Sequence, residues 1–243
     1  LTNYFHFEIL DLLGLYMKRG KRITDARAKI DKSKLYPLEE ALAMMKELAF
    51  AKFDETVEVS VKVIHKSYQN VRGSVVLPHG TGKDIKVLVI CKGDKQKEAL
   101  EAGADFVGAE DAIEKIKNGW LDFQAVIATP DMMKEVGKLG PILGKRGLMP
   151  KPKSGTVTDD VKTAVKELKG GRVEYKADKT GVIHLGVGKL SFEPQKLAEN
   201  IKAFYSQVVK DKPSDAKGNY IRSFHVCSTM GPGIKINYKG IER

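Results

Sequence analysis

Two kinds of apolar patterning share this chain, and the order in which they occur constrains the fold more than any other feature. In ETVEVSVKV, Val57, Val59, Val61 and Val63 alternate with Glu58, Ser60 and Lys62, which predicts a strand with one buried face. VRGSVVLP predicts a second strand ending at Pro78. Beyond Gly171 the same idiom returns: RVEYKADKTGVIHLGVG predicts a hairpin around residues 178–181, and NYIRSFHVCS and IKINY predict the closing strands. The middle is different. IKVLVICK, ADFVG and FQAVIATP are short continuous apolar runs, and the helical stretches KQKEALEAG, AIEKIKNG, MMKEVGKLG and DDVKTAVKELK alternate with them. That alternation is the pattern of a parallel sheet covered on both faces.

A hairpin-rich style at both ends and a parallel style between them predict a discontinuous α/β architecture of two domains. Residues 17–78 and 169–243 build a split α+β domain from both chain ends, and residues 79–168 form an inserted three-layer α/β/α, Rossmann-like domain. Leu38, Ala41, Leu42, Met45 and Leu48 recur at helical spacing after Pro37, and Leu197, Ile201, Phe204 and Val208 do so after Pro194. Thr158 is expected to cap DDVKTAVKELK. The glycine-bearing connections at 78–82 and 169–171 are expected to form a hinge. Residues 1–16 carry no Lys or Arg, whereas Met17 opens into KRGKR; they read either as a non-native leader or as an amphipathic extension.

The 243 residues carry a formal net charge of +11, which points to a polyanionic partner, nucleic acid first. Of the 42 basic and 31 acidic residues, 15 and 14 lie within 79–168, leaving 27 and 17 elsewhere, so the split domain should be the one that binds. Cys91 and Cys227 stand in apolar runs and read as buried core residues of a reducing compartment. The histidines and cysteines show no metal-ligand spacing, so no metal or cofactor is expected, and no stretch approaches the roughly 18 apolar residues of a membrane span.

Catalytic signatures are missing as well. HGTGKD and GVGKLS lack the first glycine of a phosphate-binding loop, no G-x-G-x-x-G follows IKVLVICK, and neither G-x-S-x-G nor H-E-x-x-H occurs. Asp105 and Asp131 read as helix caps rather than general acids. The loop LGKRGLMPKPKSG, with Lys145, Arg146, Lys151 and Lys153, is either a solvated basic loop or one that meets RNA phosphates. Near the end of the chain, FHVCSTMGPGIK runs from an alternating strand into Ser228, Thr229, Met230 and a Gly-Pro-Gly turn. Hydroxyls, backbone amides and a soft apolar tip on a strand end suit recognition of a folded polar partner, not acid–base chemistry. Two rivals remain open: a nucleotide-dependent enzyme using the inserted sheet, and a nonspecific RNA chaperone.

Five motifs, AKFDETVEV (51–59), QNVRGSVVLPHGTGK (69–83), GADFVG (103–108), LGKRGLMPKPKSGTV (143–157) and STMGPG (228–233), occur in one order over a span from Met17 to about Tyr238. In them the chain closely resembles the bacterial ribosomal protein L-one family, the proteins of the mobile stalk of the large ribosomal subunit. The resemblance implies no enzymatic activity and a cytoplasmic protein of the ribosome, monomeric when free. It further implies binding to the large-subunit rRNA stalk, help in releasing deacylated tRNA from the exit site, and repression of the protein's own operon mRNA. The family's rRNA and mRNA contacts map onto Lys52, Phe53, Thr56, Ser223, Ser228, Thr229, Met230 and Gly231. Secondary RNA or tRNA contacts map onto Gln69, Asn70, Arg72, Lys145, Arg146, Lys151 and Lys153. Phe53 either stacks on the RNA or belongs to the core, and the connection VIHKSYQNVRG is shorter than the family's usual one.

Overall fold

The computed structural model describes residues 20–64, 71–93, 95–213 and 218–241, with the side chain of Lys153 left out. The first end segment holds helices α1 (Lys21–Ala28) and α2 (Leu38–Leu48) and strands β1 (Thr56–Val63) and β2 (Arg72–Val76). The middle segment holds β3 (Val87–Ile90), α3 (Lys95–Glu101), β4 (Phe106–Gly108), α4 (Glu110–Lys117), β5 (Ala125–Ala128), α5 (Met133–Gly137), α6 (Gly140–Leu143) and α7 (Val161–Lys169). The second end segment holds β6 (Arg172–Lys176), β7 (Val182–Lys189), α8 (Pro194–Lys210), β8 (Ile221–Ser228) and β9 (Ile234–Lys235).

Both chain ends supply one antiparallel sheet in the order β7-β1-β8-β9. Alternation dictates its faces: Val57, Val59, Val61 and Val63 are fully buried, beside Ile183, Leu185, Phe224 and Val226 from the neighbouring strands. Each such buried side chain contributes on the order of 2 kcal/mol by leaving water. The stripes of α2 (Leu38, Ala41, Leu42, Met45, Leu48) and α8 (Leu197, Ile201, Phe204, Val208) join them in a single apolar core. The opposite face, which includes Glu58, Ser60, Lys62, His184, Ser223 and His225, has no buried side chain among those six.

The inserted segment folds around the parallel sheet β4-β3-β5. Successive residues of a strand point to opposite faces, and here both faces are covered. Leu88, Ile90, Val126 and Ala128 pack with α4, α5 and α6 on one side, through Ile113, Ile116, Val136 and Leu143. Val87, Val89, Cys91 and Ile127 pack on the other with α3 and α7, through Ala99, Val161, Val165 and Leu168. This is the three-layer insertion expected from the continuous apolar runs.

Several local expectations are corrected. RVEYKADKTGVIHLGVG turns where predicted, with the Gly181 amide donating to the Asp178 carbonyl at 3.1 Å, but its strands separate. β6 pairs with β2 in a two-stranded ribbon and β7 pairs with β1, leaving only the bridge Ala177–Ile183 between them. The helix α7 is capped by Asp160, whose carboxylate accepts from the Thr163 amide at 3.1 Å, while Thr158 accepts from the Asp160 amide. Asp105 is no helix cap: it accepts from the Val87 amide at 2.9 Å and pairs with Lys169 at 3.2 Å. Asp131 lies in the turn Pro130–Met132, where no side chain caps. Cys91 is buried, but Cys227 points to the open sheet face and is only half-buried.

Where the chain passes between the domains, the two connections touch. Gly80 (φ +65°) and Gly171 (φ +104°) lie so close that a Cβ on Gly171 would collide with the Gly80 backbone. Fully buried Asn200 of α8 fastens this crossing. Its amide donates to the carbonyls of Gly80 (3.0 Å) and Val187 (2.8 Å), and its oxygen accepts from the His79 amide (3.0 Å).

Candidate nucleic-acid interface

β1 begins beside the point where β8 ends, because the two strands are antiparallel and Val57 is paired with Ser228. Residues 173 positions apart are thereby placed in hydrogen-bond contact. The Thr56 amide donates to Thr229 Oγ1 at 3.0 Å, and that hydroxyl stands 3.3 Å from the Thr56 carbonyl, to which it donates. The Met230 amide donates to Glu55 Oε2 at 2.9 Å, and the Ala51 amide reaches Glu55 Oε1 at 3.4 Å. Glu55 is 1% exposed. A buried carboxylate that accepts backbone amides from both segments holds the 51–56 entry and the 228–231 tip in one geometry.

Around that clamp the surface is mixed. Phe53 is 56% exposed and Met230 50% exposed, which decides the open question about Phe53: it is no core residue. Lys52 and Thr229 are exposed, and Thr56 and Gly231 half-exposed. Asp54 fixes the loop from the other side by accepting from the Ser191 amide (3.1 Å) and hydroxyl (2.8 Å). Lys189 donates to Thr56 Oγ1 at 3.2 Å and to the Asp54 carbonyl at 3.3 Å, and so sets a cation beside the two threonines. Two apolar tips, exposed hydroxyls and flanking lysines make a ridge that can stack on bases or ribose and hydrogen-bond 2′-hydroxyls and phosphates. No carboxylate and histidine are paired there as proton carriers.

The predicted residues do not all join this ridge. Ser228 is 2% exposed and its hydroxyl has no hydrogen-bond partner, so the exposure expected of it is not met. It shares strand parity with Phe224 and Val226, which sends its side chain inward, and a Cβ on Gly231 would strike its Oγ. Ser223 lies on the open face opposite Lys62, five residues and so roughly 17 Å along β8 from the tip.

Arg72 and Lys151 line a separate groove of about 550 Å³ between the β2–β6 ribbon and the turn Pro152–Ser154, where Lys151 stands 3.6 Å from Glu174. Lys145 and Arg146 are exposed on their loop. Gln69 and Asn70 lie outside the described residues, as does the side chain of Lys153. A cleft of about 850 Å³ between the domains is lined by Thr56 and Lys189 on one wall and by Gly147, Leu148 and Met149 on the other. Among the described residues no group of His, Cys, Asp and Glu could hold a metal ion, and no helix is long and apolar enough to cross a membrane.

Sequence reasoning missed Glu55, Asp54, Lys189 and Ser191. A signal for Glu55 existed: it shares parity with Val57, Val59 and Val61, so the alternation that buries them buries it too. Asp54, Lys189 and Ser191 carry no such mark, because only the pairing of β1 with β7 brings them together.

Comparison with known proteins converges on one family. Large ribosomal subunit protein uL1 of Leptospira biflexa serovar Patoc (strain Patoc 1 / Ames) is 62% identical over 223 residues, covering 92% of this chain and 97% of that protein. The protein of the same name from Protochlamydia amoebophila (strain UWE25) is 55% identical over 223 residues, covering 90% of this chain and 94% of that one. Residues 45–232, from α2 through the ridge at the end of β8, match the Ribosomal protein L1p/L10e family, and the chain belongs to that family.

Proposed function

We propose that this protein is a structural constituent of the large ribosomal subunit, acts in the cytoplasm within the ribosome, and catalyses no reaction. Its ridge binds the stalk region of large-subunit rRNA. The same surface recognises a similar fold in the protein's own operon mRNA and represses its translation, and the protein assists release of deacylated tRNA from the exit site. The observation that carries this reading is the clamp Glu55–Met230 and Thr56–Thr229, which presents exposed Phe53, Met230 and Lys52 as one surface on the basic domain. Family membership and the shared name of the two relatives support the ribosomal placement. Arg72 and Lys151, which share a groove, together with Lys145 and Arg146, form a second RNA contact, on which exit-site tRNA is the occupant we assign.

Thr229→Ala tests the ridge. It removes both hydrogen bonds that tie the tip to Thr56 and the one lone pair the hydroxyl has left for RNA, so affinity for a stalk RNA should fall by about 1 to 3 kcal/mol, with competition by bulk RNA as the control for specificity. Unchanged affinity would remove Thr229 from the interface, and equal binding of stalk and bulk RNA would favour a nonspecific RNA chaperone. Lys52→Gln should lower the salt slope of binding by somewhat less than one unit if it meets a phosphate.

A further inference from the structure

The segment ahead of the core helices is rich in cations. Between residues 21 and 34 stand Lys21, Arg22, Arg27, Lys29, Lys32 and Lys34 against Asp25 and Asp31. Lys34 pairs with Glu40 at 2.9 Å and lies over the Tyr36 ring. For the other five, no carboxylate lies within 4.0 Å among the described residues. Such a run repels itself, and a freely solvated tail would disperse it.

This run is tied down instead. The Tyr36 amide donates to the Lys235 carbonyl (3.0 Å), the Asn237 amide donates to the Tyr36 carbonyl (2.9 Å), and the Tyr36 hydroxyl accepts from the Asp31 amide (3.0 Å). Ile30 packs on the core and Ala26 is buried.

The register fixes where the run lies. Tyr36 is bridged to Ile236 in parallel, so the chain at 36 and β9 both run away from the turn that carries Thr229 to Gly231. Tyr36 thus ties the basic run to β9, the outer edge of the sheet. Ahead of Tyr36 the chain bends at Asp31–Ser33, where Asp31 accepts from the Ser33 amide at 2.9 Å.

From this we infer that residues 21–32 form a second RNA surface of the split domain, a phosphate-binding arm held at the β9 edge of its sheet. Lys21, Arg22, Arg27, Lys29 and Lys32 meet the backbone of the duplex flanking the segment the ridge recognises. The ridge supplies shape and hydroxyl contacts, and the arm supplies charge without sequence preference. This inference rests on the RNA reading of the ridge and deepens it.

The test compares two full-length variants of equal net charge. One carries Lys21→Gln, Arg22→Gln, Lys29→Gln and Lys32→Gln. The other carries Lys115→Gln, Lys117→Gln, Lys134→Gln and Lys162→Gln, four exposed positions of the inserted domain. Affinity for a stalk RNA is measured between about 50 and 200 mM salt, where each lost phosphate contact lowers the slope by about 0.7 to 0.9. The arm variant should lose about 3 units of slope and keep its preference for stalk over bulk RNA, while the control variant loses less than one. Thermal melts of both show that each is folded.

An unchanged slope in the arm variant, or equal losses in both variants, overturns the inference. If the unsubstituted chain shows no preference for stalk RNA, the ridge reading fails separately, and the arm then stands or falls on the slope alone.

Discussion

The split domain and the inserted domain are both built from a sheet and helices, yet they treat their surfaces in opposite ways. The inserted sheet has helices on both faces, and lysines such as Lys92, Lys95 and Lys138 stand against Glu110, Asp159 and Glu135. Its charge is nearly balanced, 15 basic residues against 14 acidic within 79–168. Among the described residues the antiparallel sheet is covered on one face only; it carries the ridge at one end and belongs to the half of the protein with 27 basic and 17 acidic residues. An antiparallel sheet tolerates an open face because its hairpin connections stay at its ends, whereas the crossover helices of a parallel sheet cover both of its faces. The split domain thus carries most of the excess positive charge, beside a sheet face that its own helices leave open.

The comparison breaks most sharply at the crossing. Gly171→Val imposes both a strained φ of +104° and a collision with Gly80, and should destabilise the protein by about 4 kcal/mol in chemical denaturation. Retained stability would mean that the two connections move apart freely. Asn200→Leu strands the carbonyls of Gly80 and Val187 and the amide of His79, and should cost about 3 kcal/mol. Because Asn200 lies on α8, the split domain should lose hydrogen-exchange protection before the inserted domain does; simultaneous loss would make the two domains one cooperative unit.

Glu55→Gln sharpens the contrast at the ridge. The amide keeps one acceptor oxygen and loses the other, so either Met230 or Ala51 loses its partner. Stalk-RNA affinity should fall about tenfold, about 1.4 kcal/mol, with a smaller drop in melting temperature. A variant with full affinity would show that the tip keeps its geometry without the clamp.

The smallest expected effect concerns pH. Burial, and then the neighbouring Lys235, lower the pKa of His225 below its ordinary 6.5. The folded state therefore holds fewer protons on this ring than the unfolded state. Stability from this source is present above about pH 6.5 and is lost as pH falls through the lowered value. His225→Gln should flatten that part of the stability profile, and an unchanged profile would assign the acid sensitivity to other groups.

Much of the fold was legible because periodicity states which side of an element is buried. The alternation in β1 and the stripes of α2 and α8 forecast the core that forms, and the continuous runs of β3 and β5 forecast a sheet buried on both faces. Ser228 shows the rule applied too loosely, since its parity with Phe224 and Val226 marks it as buried. The hairpin 172–189 failed for another reason: a turn sequence states where the chain reverses but not whether the two strands stay paired, and β1 and β2 each compete for one of them.

By itself the sequence determined the two sheet types, their order along the chain and the charge divided between them, because each is written in local spacing or composition. Only the tertiary structure decided that Glu55 reaches Met230, that Lys189 stands beside Thr56, that Gly80 passes against Gly171 and that Tyr36 ties the basic run to β9. Those contacts bring together segments 91 or more positions apart, and strand register is set by the fit of whole faces into a shared core, which no local pattern encodes.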